Sequence, residues 1–122
     1  MVTECMITLL FVVNVCIALL LIVLAVPMIM EKIKPNRWYG FRTSKTLGDE
    51  KKWYPANKYA GKAMVVAGII IIILSALMMA MPRLGLVNFP ASEGILITVW
   101  VIALLLPIIA MTAASFLYLR RL

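Results

Sequence analysis

The stretch Lys34-Pro35-Asn36-Arg37-Trp38-Tyr39-Gly40-Phe41-Arg42-Thr43 concentrates cations, aromatics and turn residues too densely for a generic linker. Arg42 offers five N–H donors in a planar fork, which suits loop carbonyls, the Asp49 carboxylate or a lipid phosphate. Asn36 and Gly40 are turn residues able to take left-handed backbone angles, so the segment is expected to fold back along a membrane surface. Trp38 and Tyr39 would hold it there. Pro35 is expected to stop the helix before it. Downstream, Thr46-Leu47-Gly48-Asp49 has the spacing of a capping box, and Asp49 and Glu50 put negative charge where a helix N-terminus favours it. A helix starting there runs Trp53, Asn57 and Gly61 along one face. On that face Trp53 reads as an interfacial anchor and Asn57 as an amide tying loop backbone to the helix. Pro55, in the second turn, predicts a distortion between a short interfacial piece and the helix that follows.

Other chemistry is thinly supplied. The acids are Glu4, Glu31, Asp49, Glu50 and Glu93, and the chain has no histidine. Apart from edge residues such as Lys62, no ionisable group falls within an apolar run, although proton relays and ion-coupled carriers need one. Cys5 and Cys16 without histidine do not make the usual zinc ligand set. On one helix they stand about 16 Å apart at ~1.5 Å per residue, too far for a disulfide. No Ser/His/Asp, HExxH or phosphate-loop pattern occurs. The expectation is a protein without catalysis, cofactor or metal.

The elements that must position these residues follow from composition. The chain has 122 residues, 65% apolar and 14% charged, with mean hydropathy +1.07, far from a soluble domain. Apolar runs cover about 6–30, 60–81 and 95–118, each long enough to cross ~30 Å of hydrocarbon as a helix. Continuous runs exclude the alternating pattern of a β-barrel. The expected fold is all-α: an integral membrane three-helix bundle, residues 1–122 forming one domain, with a structured cytoplasmic loop between the first two spans. The leader carries Glu4 and no Lys or Arg, so the first span reads as a permanent anchor and not a secretory signal.

Small residues recur at helical spacing in each span: Asn14, Ala18 and Ala25; Gly61, Gly68 and Ser75; Ala103, Pro107, Ala110 and Ala114. Such stripes let membrane helices approach closely, within the bundle or in a homo-oligomer. Asn14 should bond to another helix or a partner, because an unpaired amide in hydrocarbon is costly. Ser75 and Thr98 can each bond their own helix one turn back, and Pro107 should bend the third span.

Of 12 Lys and Arg residues, all but Arg83 lie between or beside the first two spans or at the C-terminus. By the positive-inside rule the N-terminus lies outside and the C-terminus in the cytoplasm of a cell membrane. The net charge of +7 is thereby assigned to anionic lipid headgroups, with no nucleic-acid partner.

The ordered set Pro35-Asn36, Tyr39-Gly40, Arg42-Thr43, Thr46, Asp49-Glu50, Trp53, Asn57 and Gly61 resembles the signature of the SdpI family of small bacterial and archaeal membrane proteins. The resemblance covers residues 27 to about 80 closely, and the flanking spans by hydropathy only. It implies immunity to a secreted, membrane-active peptide toxin, and signalling by holding a transcriptional repressor at the membrane. The protein that gives the family its name has a further membrane half before this signature, so toxin protection is the more direct implication. The implied binding set is Asn36, Tyr39, Arg42, Thr43, Trp53 and Asn57. A second expectation, from a different class, is a structural or assembly subunit whose small-residue stripes dock on another membrane protein and whose basic loop grips lipid.

Overall fold

A computed structural model of the chain describes residues 2–85 and 93–122. Four helices form in chain order: α1 (Val2–Ile29), α2 (Ser44–Leu47), α3 (Glu50–Arg83) and α4 (Glu93–Leu119), with no strand among the described residues. Three of them, α1, α3 and α4, are long and apolar enough to cross a membrane. The chain is an all-α, multi-pass membrane protein. In hydrocarbon the backbone must satisfy its own polar groups, and these continuous apolar runs do so as helices.

α3 is the central element. At 34 residues it is about 51 Å long at ~1.5 Å per residue, well beyond the ~30 Å of hydrocarbon. Its uncharged portion begins at Ala63, so the turns from Glu50 to Lys62 stand at the membrane surface and beyond it. The helix is continuous through Pro55, and the distortion expected there is not found. Pro55 lies so close to the N-terminus that it removes only one intrahelical bond, at the solvated end.

α1 and α3 are held together at glycines. A Cβ on Gly61 would come within 3.0 Å of the Ala25 carbonyl oxygen, and one on Gly68 within 2.9 Å of that of Ala18. Both pairs are seven residues apart, so the contact recurs every two turns along an antiparallel pair. Ala18 and Ala25 are fully buried. This is close packing of small residues, the means by which helices associate where lipid is as apolar as leucine.

α1 and α4 meet at the end away from the inter-span loop. Asn14 donates its amide to the Trp100 carbonyl at 3.3 Å, the interhelical bond expected of it. Ile7, Leu96 and Trp100 form a buried cluster there, with Phe11, Met78 and Met79 against it. Thr98 bonds the Gly94 carbonyl of its own helix at 2.7 Å. Ser75 differs from expectation: its hydroxyl is buried without a hydrogen-bond partner. The large aliphatic side chains left outside, such as Leu20, Val23, Ile73 and Ile109, are more than half exposed, as a surface in contact with lipid requires.

Candidate functional site

The loop from Glu31 to Asp49 folds into a cap over one end of the bundle, and each turn in it has an identifiable cause. α1 ends at Ile29, before Pro35 can act. Glu31 takes φ 58, while Lys32 donates to the Pro27 carbonyl at 3.0 Å and Glu31 to that of Met28 at 3.3 Å. This paired closure satisfies the last carbonyls of α1. Asn36 works through its side chain, not through a left-handed backbone: its Oδ1 accepts from the amides of Trp38 (2.8 Å) and Tyr39 (2.7 Å), and its Nδ2 donates to the Lys34 carbonyl at 2.7 Å.

Gly40 is the residue that takes the left-handed angle, at φ 109. A Cβ there would sit 2.5 Å from Asn57 Oδ1 and 3.3 Å from the Trp53 ring, so both conformation and space demand glycine. The turn delivers Phe41 to Asn57. That amide accepts from the Phe41 N–H at 2.6 Å and donates to the Phe41 carbonyl at 3.4 Å and the Trp53 carbonyl at 2.9 Å. Asn57 is 2% exposed, and it ties loop to helix as its type and position predict.

Trp53 corrects an expectation. It is fully buried and donates its indole N–H to the Ile33 carbonyl at 2.8 Å, so it is the interior of the cap and not an interfacial anchor. Trp38, at 89% exposed, is the tryptophan that faces outward. The capping box also falls elsewhere than Thr46–Asp49. Thr43 caps α2, its Oγ1 accepting from the Thr46 amide at 3.1 Å while the Thr43 amide donates to Thr46 Oγ1 at 2.8 Å. Asp49 separately caps α3 by accepting from the Lys51 amide at 2.9 Å.

The cap is bonded to all three spans. Tyr39 donates its hydroxyl to the Leu24 carbonyl of α1, and its pKa is raised by burial, so it remains a protonated donor through the neutral range. Trp53 and Asn57 belong to α3. Phe41 meets Phe116 of α4 edge to face at 5.1 Å, and Lys45 donates to the Leu119 carbonyl at 3.1 Å, where the helix C-terminus favours a cation. Arg42 is exposed and donates to the Arg37 carbonyl within the loop; no Arg42–Asp49 bond forms among the described residues.

Beneath the cap, α1 and α4 are separated by a cleft of about 290 Å³. Leu24 and Met28 form one wall, Met111, Thr112 and Ser115 the other, Ala60 and Met64 the floor, and residues 38–41 close the cap end. The six sequence-marked residues thus divide. Asn36, Thr43, Trp53 and Asn57 shape the cap from within, Tyr39 lines the cleft, and Arg42 stands at the surface. Sequence reasoning missed Phe41, Lys45, Met64 and Met111. For Trp53 a signal was present: it shares a face with Gly61, and glycine in a packed helix marks the inward side.

The fold and cap define a class: a multi-pass helical membrane protein whose inter-span loop is a structured polar cap. Comparison with known proteins then assigns the family. The model of the SdpI/YfhL protein family matches residues 32–118, and the chain belongs to that family. The match takes in the cap, α3 and nearly all of α4, extending past the residues that carried the resemblance. The immunity protein SdpI of Bacillus subtilis (strain 168) is 32% identical over 93 residues, which are 76% of this chain and 38% of that protein. The uncharacterized protein YfhL of the same organism is 36% identical over 36 residues, 30% of this chain and 33% of YfhL. The chain therefore spans between a third and two fifths of the length of these relatives. No solved structure matches.

Proposed function

We propose that the chain is an SdpI-like immunity protein of the cell membrane, giving its cell resistance to a hydrophobic, membrane-active peptide toxin without catalysing a reaction. The observation that carries this reading is the 32% identity to an immunity protein over 93 residues, together with a family match that takes in the cap from residue 32 onward. In this reading the three spans and the cap act as one domain. Eleven of the twelve cations lie at the cap end, which supports a cytoplasmic cap, a cytoplasmic C-terminus and an external N-terminus. Asn36, Tyr39, Thr43, Trp53 and Asn57 hold the cap in shape, and Arg42 and Trp38 are the side chains it presents. A signalling role, with a repressor held on the basic face of the cap, would use the same surface.

The test is a challenge assay. Sensitive bacteria expressing the chain are exposed to culture supernatant from the organism that encodes it, and survival and membrane potential are read. Cells with the natural chain survive; Arg42→Ala and Trp38→Ala, at equal membrane abundance, reduce survival. Unchanged protection in both variants refutes the role of the cap surface, and no protection by the natural chain refutes the immunity reading.

One observation favours a second reading. Between α3 and α4 a second groove, of about 370 Å³, counts Ala63, Ala67, Pro107, Ala110 and Ala114 among its lining residues. Such a surface suits close helix packing, as in an assembly subunit or a homo-oligomer. Copurification in mild detergent separates the two: a stoichiometric membrane partner supports the subunit reading.

A further inference from the structure

We propose that the cleft between α1 and α4 holds one acyl chain of an anionic phospholipid, whose phosphate is met by Arg37 and Arg42, the exposed cations that flank the cap residues closing it. The proposal goes beyond the immunity reading and does not depend on it.

Three observations converge on this occupant. The first is the chemistry of the walls. The three hydroxyls lining the cleft are already engaged: Tyr39 with the Leu24 carbonyl, Thr112 with that of Ile108 at 2.8 Å, and Ser115 with that of Met111 at 2.8 Å. The Phe41 amide is held by Asn57. A peptide strand entering an apolar cleft needs partners for its own N–H and C=O groups. A hydrocarbon chain needs none, and the remaining surface of Leu24, Met28, Ala60, Met64 and Met111 suits it.

The second is placement. Two of its walls belong to the membrane spans α1 and α4, and Ala60 of its floor lies at the membrane-surface end of α3, so it stands where lipid acyl chains meet their headgroups. The third is charge. Residues 38–41 close the cap end of the cleft, and the cations at both ends of that short run, Arg37 and Arg42, are exposed. One Arg42 N–H already reaches the Arg37 carbonyl, which holds the two residues together and leaves the rest of the guanidinium fork for a phosphate. Cations beside a pocket between membrane helices are a recognised means of holding an anionic headgroup.

Native mass spectrometry of the full chain in mild nonionic detergent tests this, with phosphatidylglycerol and phosphatidylcholine of identical acyl chains supplied together. The expected result is one retained phosphatidylglycerol, preferred about thirtyfold, from roughly fivefold for each cation beside an anionic headgroup. Arg37→Gln with Arg42→Gln brings the preference close to unity, and Arg42→Lys retains most of it. Thr112→Phe fills the cleft from an exposed position and removes the retained lipid of either kind. Equal retention of both lipids by the natural chain overturns the proposal. So does undiminished phosphatidylglycerol binding in Thr112→Phe, or a second copy of the chain in place of lipid.

Discussion

Replacing Asn57 by alanine is the most informative single perturbation of the cap. The side chain is 2% exposed and makes three bonds to backbone: 2.6 Å from the Phe41 N–H, 3.4 Å to the Phe41 carbonyl and 2.9 Å to the Trp53 carbonyl. The longest contributes little, and the Trp53 carbonyl keeps its intrahelical partner. The cost therefore falls mainly on the Phe41 amide, which loses its acceptor in a partly buried position. Leaving a buried donor without its acceptor costs ~1–3 kcal/mol, so the cap is weakened by roughly that amount relative to the spans. At ~1.4 kcal/mol per factor of ten, the open form of the cap rises by about fivefold to somewhat over a hundredfold. Limited trypsinolysis in detergent reads this directly, because Arg37, Arg42 and Lys45 lie in the cap. When opening and closing are fast, the cleavage rate follows the open population. Cleavage in Asn57→Ala should accelerate by that factor while helical content holds. A rate within threefold of the natural chain would refute the assignment of Asn57 as the clasp of the loop.

Further outcomes follow from the same contacts. Gly68→Ala forces a Cβ to within 2.8 Å of Ile22 Cγ1 and 2.9 Å of the Ala18 carbonyl oxygen; overpacking of about 1–3 kcal/mol should lower the thermal midpoint in detergent, whereas the exposed Val66→Ala should not. Lys45→Met removes the cation that caps α4 at Leu119, and faster amide exchange in the last turn, equivalent to about 0.3–1 kcal/mol, is expected. Burial raises the Tyr39 pKa, so the folded cap holds that proton more tightly than the open one; its contribution is complete below about pH 10 and is lost as pH rises through the folded value. Trypsin sensitivity should therefore climb in the alkaline range, and Tyr39→Phe should remove that part of the climb. With Cys5 and Cys16 replaced by alanine, a cysteine at Ser44 should react with a membrane-impermeant maleimide only after cells are permeabilised; labelling of intact cells would place the cap outside.

Much was legible in the residues before any contact was known. Three uninterrupted apolar runs in a bilayer admit only helices, so the number of spans and their approximate limits are properties of each segment alone. The cation asymmetry and the seven-residue spacing of Gly61, Gly68 and Ser75 are likewise local patterns, and the glycines do pack on α1. Asn57 too could be read as a tie between loop and helix, because an amide on the face of Gly61 has no other inexpensive use. What hydropathy could not supply was which groups meet within the cap. The Phe41–Asn57 and Trp53–Ile33 bonds join residues 16 and 20 positions apart, and they exist only because Gly40 turns the chain at φ 109. Trp53 has the same type and neighbourhood whether it faces lipid or Ile33; only the path of the loop decides. The cleft is more dependent still, since it arises where α1 and α4 separate beneath that cap, and no single segment carries a record of the space between two others.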